Sequence, residues 1–126
     1  MLFAPIALSE RKFTREELSA DVKGRVKFGP CGVGQRALYV NVYVFDRVQY
    51  IPIKNVQRVY KRLAVSKGFF ESGKVFITLP YLVIDYDNGK QKVCRFTHEE
   101  HVDAMLAHIK KNTGIKVGKD KALPNK

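Results

Sequence analysis

Tyr81-Leu82-Val83-Ile84-Asp85-Tyr86, Asp87-Asn88-Gly89-Lys90 and Gln91-Lys92-Val93-Cys94-Arg95-Phe96 follow one another, and this stretch decides the fold. Aromatic and aliphatic residues crowd the first and last runs, as they do in strands. Asn-Gly between two such runs signals a tight hairpin, because the turn needs positive φ that Asn and Gly tolerate. Tyr81–Asp87 and Lys90–Phe96 are therefore predicted to pair. Directly after them, Thr97-His98-Glu99-Glu100 has the form of a capping box, with Thr97 as the predicted cap. Val102, Met105, Leu106 and Ile109 then fall at i, i+3, i+4 and i+7, one apolar stripe of a helix running to about Asn112. Glu99, Glu100 and Asp103 stand near its start and Lys110 and Lys111 near its end, both favourable to the helix dipole. Gly114 stands where a C-terminal cap belongs.

Upstream, strand signals dominate. Val22, Gly24, Val26 and Phe28 alternate with Lys23, Arg25 and Lys27, which predicts a half-buried strand with a basic outer face. Gly29-Pro30-Cys31-Gly32-Val33-Gly34 breaks the chain. Ala37–Val44 and Val48–Ile53 read as strands, with a turn at Phe45-Asp46-Arg47. Val56–Val65 is expected as a further strand, Ser66–Lys74 as a Gly-containing basic loop, and Lys74–Leu79 as a strand separated from Tyr81–Tyr86, or bent, at Pro80. Thr14-Arg15-Glu16-Glu17 is a capping box that opens a short helix near 15–20, or a loop packing Leu8, Phe13 and Leu18 on the body. Residues 1–21 thus read as a lead-in, 22–114 as the domain and 115–126 as a basic, disordered tail. The fold class is mainly β, an antiparallel barrel or sandwich with one C-terminal α-helix, since a single helix cannot supply the crossovers of a parallel sheet.

At 126 residues the chain suits one domain with its own core. No apolar run approaches the roughly 20 residues that span a bilayer. Met1–Ile6 lacks the basic flank and cleavage site of a secretory signal. Cys31 and Cys94 form no C-x-x-C pair, so two free thiols in a reducing cytoplasm are expected. Cys94 alternates into a strand and suits the core, whereas Cys31 in the Gly-rich run can be exposed.

Ala37-Leu38-Tyr39-Val40, then Tyr50-Ile51-Pro52-Ile53-Lys54-Asn55-Val56-Gln57-Arg58-Val59, then the hairpin of residues 81–90 and the final helix together resemble the bacterial pleckstrin-homology-like pattern. The resemblance covers roughly Val22 to Thr113, and the order of the pieces carries it. It implies a seven-stranded, partly open barrel of two sheets plugged by the helix, and a binding or scaffolding module rather than an enzyme. Some relatives bind inositol phosphates through a basic motif on the first hairpin. Lys23-x-Arg25-x-Lys27 only approximates that motif, since Lys stands where Arg is usual.

Charge is the strongest compositional signal. Lys and Arg number 23 against 12 Asp and Glu, a net charge of +11, and such a field draws polyanions. Lys54, Arg58, Lys61, Arg62, Lys67 and Lys74 share a window with Glu71 as the one acid, interleaved with Tyr60, Phe69 and Phe70. Cations meet phosphates while aromatics stack on bases or enter lipid headgroups. These six are the candidate polyanion-binding residues, and Lys23, Arg25 and Lys27 are an alternative basic strand. A solvated charged face would have the same composition.

No reactive set emerges. His98, His101 and His108 lie in or beside the final helix without a converging carboxylate or Cys, so no metal site is expected. The glycines of 29–34 precede a strand rather than a helix and no Lys-Ser/Thr follows them, so they do not form a phosphate loop. Neither a catalytic residue nor a cofactor is assigned. The expectation is a cytoplasmic, non-enzymatic interaction module whose partner is a protein or an anionic lipid surface. The alternative is a nucleic-acid-binding protein using residues 54–74 and the basic tail.

Overall fold

The computed structural model describes residues 5–42, 47–70, 73–118 and 121–122, of which 41–42, 47, 65–70, 73–77 and 121–122 are described by backbone alone. The chain order is β1 (Ile6–Ala7), α1 (Arg15–Lys23), β2 (Val26–Phe28), β3 (Cys31–Val33), β4 (Ala37–Val42), β5 (Arg47–Pro52) and a 3-10 turn (Ile53–Asn55). Then come β6 (Val56–Phe70), β7 (Gly73–Tyr86), β8 (Lys90–Arg95), α2 (Glu99–Asn112), β9 (Lys116–Val117) and β10 (Lys121–Ala122). The protein is mainly β. The first sheet runs β1-β5-β4-β3-β2 and the second β10-β6-β7-β8, with β9 also on β6.

The expected barrel and its wholly antiparallel pairing are corrected. Among the described residues the sheets remain separate, because the 3-10 turn after Pro52 carries the chain from one sheet into the other. β1 pairs β5 in parallel, and β9 and β10 pair β6 in parallel. The sheets share one core instead. Cys31, Val33, Leu38, Val40 and Ile51 of the first meet Val59, Leu82, Ile84 and Cys94 of the second, with Val102, Met105, Leu106 and Ile109 of α2 in the same cluster. The helical stripe read from the sequence is thus the buried face.

The first sheet is covered on its other side by α1. Leu18 and Val22 pack on Ala37, Tyr39 and Tyr50, and Phe13 stacks on Tyr50 at 5.8 Å. This corrects the strand expected over Val22–Phe28, of which only Val26–Phe28 is strand. The Thr14 box forms as expected, with Thr14 Oγ1 accepting from the Glu17 N–H and Glu17 from that of Thr14. Once started, the helix runs on to place Leu18 and Val22 on one face, a spacing of four that the short alternation concealed.

The Asn-Gly hairpin forms with Tyr86 opposite Lys90. Positive φ falls on Asp87 (49°), Asn88 (51°) and Gly89 (140°), so the left-handed pair starts one residue before Asn-Gly. Pro80 does not divide β7. Its carbonyl accepts from the Phe96 N–H on the side where β8 has ended, so its missing donor faces away from the β6 ladder, where it sits opposite Leu63. The loop expected over Ser66–Lys74 is strand at 66–70 and 73–74.

Thr97 does not cap α2. The cap is His98, without a side-chain bond, because the Phe96–Pro80 bond holds the chain in the sheet until just before it. At the other end the Thr113 N–H and Oγ1 both donate to the Ile109 carbonyl, ahead of Gly114. Within the expected tail, Ile115 is buried and Lys116–Val117 and Lys121–Ala122 add to the edge of β6. The tail is therefore partly sheet. Of the turn expected at Phe45-Asp46-Arg47, Arg47 instead opens β5, and Phe45 and Asp46 lie outside the described residues.

Candidate functional site

β6 sends successive side chains to opposite faces. Val59 and Lys61 face the shared core, while Arg58, Tyr60 and Arg62 face outward on the second sheet. The basic window is thereby split. Lys61 is buried, and its Nζ lies 2.7 Å from Glu99 Oε2 and 2.8 Å from Asp103 Oδ1 at the start of α2. Arg58 pairs with Asp85 Oδ2 at 3.0 Å and lies over the Tyr60 ring at 4.6 Å. Lys54 is exposed in the 3-10 turn. Lys67 stands opposite Phe76 and Lys74 opposite Phe69 in the β6–β7 ladder, and their side chains lie outside the described residues.

Cross-strand register builds the outward face in rows. Arg58, Asp85 and Gln91 form one row, in which Gln91 Nε2 donates to Asp85 Oδ1 at 2.8 Å. Tyr60, Val83 and Val93 form the next, with Tyr60 and Val83 buried. Arg62, Tyr81 and Arg95 form the third. Here the Arg62 guanidinium lies 5.5 Å from the Tyr81 ring centroid, and its Nε is buried without a hydrogen-bond partner. Arg95 is exposed. Among the described residues neither arginine has an acidic partner, in contrast to Arg58. This Arg–Tyr–Arg row joins two cations and an aromatic on one surface, a combination that suits phosphate together with an interfacial or stacked group. Sequence reasoning missed Tyr81 and Arg95, which lie on β7 and β8 and meet Arg62 only through register. The outward alternation of Gln91, Val93 and Arg95 was the available signal.

Lys23, Arg25 and Lys27 do not share a strand. Lys23 ends α1, Arg25 lies between elements with Nη1 donating to the Val22 carbonyl, and Lys27 lies in β2. Arg25 sits 5.9 Å from the Tyr39 ring centroid. With Gly29, Pro30 and Gly32, Arg25 and Lys27 rim a cleft of about 140 Å³, so this hairpin is a second, smaller basic surface.

The remaining ionisable groups are structural in their contacts. Asp21 accepts from the Gln35 and Arg36 N–H groups and from Tyr39 Oη. Burial, then that bond to Asp21, pushes the Tyr39 hydroxyl far above its ordinary range. Asp87 accepts from Ser9 Oγ, the Glu10 N–H and Asn55 Nδ2. Burial raises its carboxyl, but those bonds and nearby Lys90 outweigh it and leave the value lowered. Cys31, for which the sequence left exposure open, is buried, since β3 lies inside the shared core. A bond with the Cys94 thiol, then burial, raises the Cys31 thiol well above its usual value. His98 and His101 are exposed and meet edge to face at 5.2 Å, and His108 packs on Phe28 at 5.4 Å. Among the described residues no three His, Cys, Asp or Glu side chains converge as metal ligands, and no helix is long and apolar enough to cross a membrane. Comparison with known protein families, with curated proteins and with solved structures finds no match to this chain.

Proposed function

We propose that the chain is a non-enzymatic interaction module, pleckstrin-homology-like in its two sheets and closing C-terminal helix, that docks on an anionic membrane surface. The observation that carries this reading is the Arg62–Tyr81–Arg95 row, whose arginines have no acidic partner among the described residues. Arginines meet lipid phosphates and carboxylates, and tyrosine favours the headgroup level, where its ring is half in apolar surroundings. The net charge of +11 draws the protein toward such a surface. The cleft that Arg25 and Lys27 rim beside the β2–β3 hairpin supports the same reading as a second contact.

Co-sedimentation with vesicles of equal phosphatidylserine and phosphatidylcholine tests it. Binding should weaken as salt rises, and Arg62→Ala and Arg95→Ala should each reduce it about fivefold. Absence of binding at low salt overturns the proposal. A second reading, single-stranded nucleic acid, is favoured by the same Tyr81 ring, since bases stack on aromatics beside arginine. Binding of an oligonucleotide but not of vesicles would establish it instead.

A further inference from the structure

We infer that the far end of the β6–β7 hairpin is the element that enters the headgroup region of an anionic bilayer; this rests on the membrane reading above. β6 and β7 stay paired from Val56 opposite Tyr86 out to Phe70 opposite Gly73. Their neighbours stop much sooner. β8 flanks β7 only from Tyr81 to Tyr86, and β9 and β10 flank β6 at 58–59 and 62–63. From Ala64 opposite Leu79 outward, the hairpin is a ribbon with no third strand among the described residues. Seven residues, Ala64 to Phe70, carry it about 20 Å beyond that point. Burial fades along the way. Val59, Leu82 and Ile84 are fully buried, Leu63, Ala64 and Leu79 half-buried, and Thr78 exposed.

A two-stranded ribbon is marginal in water on its own. This one is rich in large apolar residues, and its register keeps its lysines on one face. One face has the pairs Lys67–Phe76 and Phe69–Lys74, whereas the other has Ser66–Ile77, Gly68–Val75 and Phe70–Gly73, with no charge at all. Aromatics thus stand at the outermost pairs with two lysines beside them. That is the composition of an interfacial anchor, in which aromatic groups enter the headgroup boundary and lysines reach anionic lipid. The Arg62–Tyr81–Arg95 row lies at the base of the same ribbon, on the face that Ser66, Gly68 and Phe70 continue, and Lys67 and Lys74 stand on the opposite face. A second copy of the chain fits the ribbon less well. Both copies carry +11, and the two lysines share a face.

The chain has no tryptophan, so Phe70→Trp in the full-length protein is a single reporter at the tip. With equal phosphatidylserine and phosphatidylcholine vesicles its emission should shift to the blue and be quenched by brominated lipid. Phe69→Ser with Phe70→Ser should lower vesicle partitioning by about tenfold or more, and Lys67→Ala with Lys74→Ala should lower it only on anionic vesicles. Circular dichroism separates loss of binding from loss of fold, and the Phe70→Trp signal does not depend on either double variant. Vesicle binding with unshifted Phe70→Trp emission overturns the inference while leaving the membrane reading in place. Emission already blue-shifted without vesicles, and dependent on protein concentration, also overturns it in favour of a second copy. Failure of the parent protein to bind vesicles removes both.

Discussion

The Tyr39 hydroxyl donates to Asp21 Oδ2 at 2.6 Å, joining the middle of the first sheet to the last turn of α1. Asp21 Oδ1 accepts from the Gln35 and Arg36 N–H groups at 2.8 and 3.0 Å, so one carboxylate holds helix, sheet and loop together. Asp21→Ala removes all three bonds and leaves the buried Tyr39 hydroxyl unmet, which is expected to cost about 2–4 kcal/mol in urea unfolding. Tyr39→Phe removes one bond and should cost less. Equal stability of Asp21→Ala and the parent would show that α1 is not anchored here.

Lys61 is buried below Glu99 and Asp103, whose side chains remain about half exposed. Replacing both acids by Glu99→Gln and Asp103→Asn leaves a buried ammonium without those carboxylates and should cost about 2 kcal/mol. Lys61→Met removes the charge along with its need for partners, so its cost should stay within about 1 kcal/mol. Denaturant midpoints of the two variants decide the order, and a costlier Lys61→Met would reverse this account.

Asp87 gathers Ser9, Glu10 and Asn55 at the β7–β8 turn, so it links the N-terminal segment to the second sheet. Its folded pKa lies below the ordinary value of 3.8. A lowered carboxylate pKa gives stability that is complete above the ordinary value and lost as pH falls through the folded one. Unfolding free energy should therefore drop between about pH 5 and pH 2, and Asp87→Asn should flatten part of that fall. An unchanged slope in Asp87→Asn would assign the acid sensitivity elsewhere.

Cys31 and Cys94 are both free and buried, and the Cys31 thiol is raised by its bond with Cys94 and by burial. The thiolate is the reactive form. Both thiols should resist Ellman's reagent in the native protein at neutral pH and react promptly once the chain is unfolded in guanidinium. Fast native labelling of Cys31 would place β3 outside the core.

The β7–β8 hairpin and the buried stripe of α2 were legible because each depends on local chemistry. Positive φ in a short turn selects Asn and Gly, and a stripe at helical spacing follows from one helix needing one apolar face. The helical extension through Val22 was ambiguous, since over so few residues an alternation of two and a spacing of four both fit.

The basic window shows where sequence reading stops. Alternation along β6 separates Lys61 from Arg58 and Arg62, and the sequence determines that parity by itself. Which face lies beneath α2 was decided by packing, and with it the burial of Lys61 against Glu99 and Asp103. The neighbours of Arg62 were decided by register, which placed Tyr81 opposite it and Arg95 beyond. Propensity and period are properties of adjacent residues, whereas register and cover arise when segments distant in the chain settle the burial of their faces together.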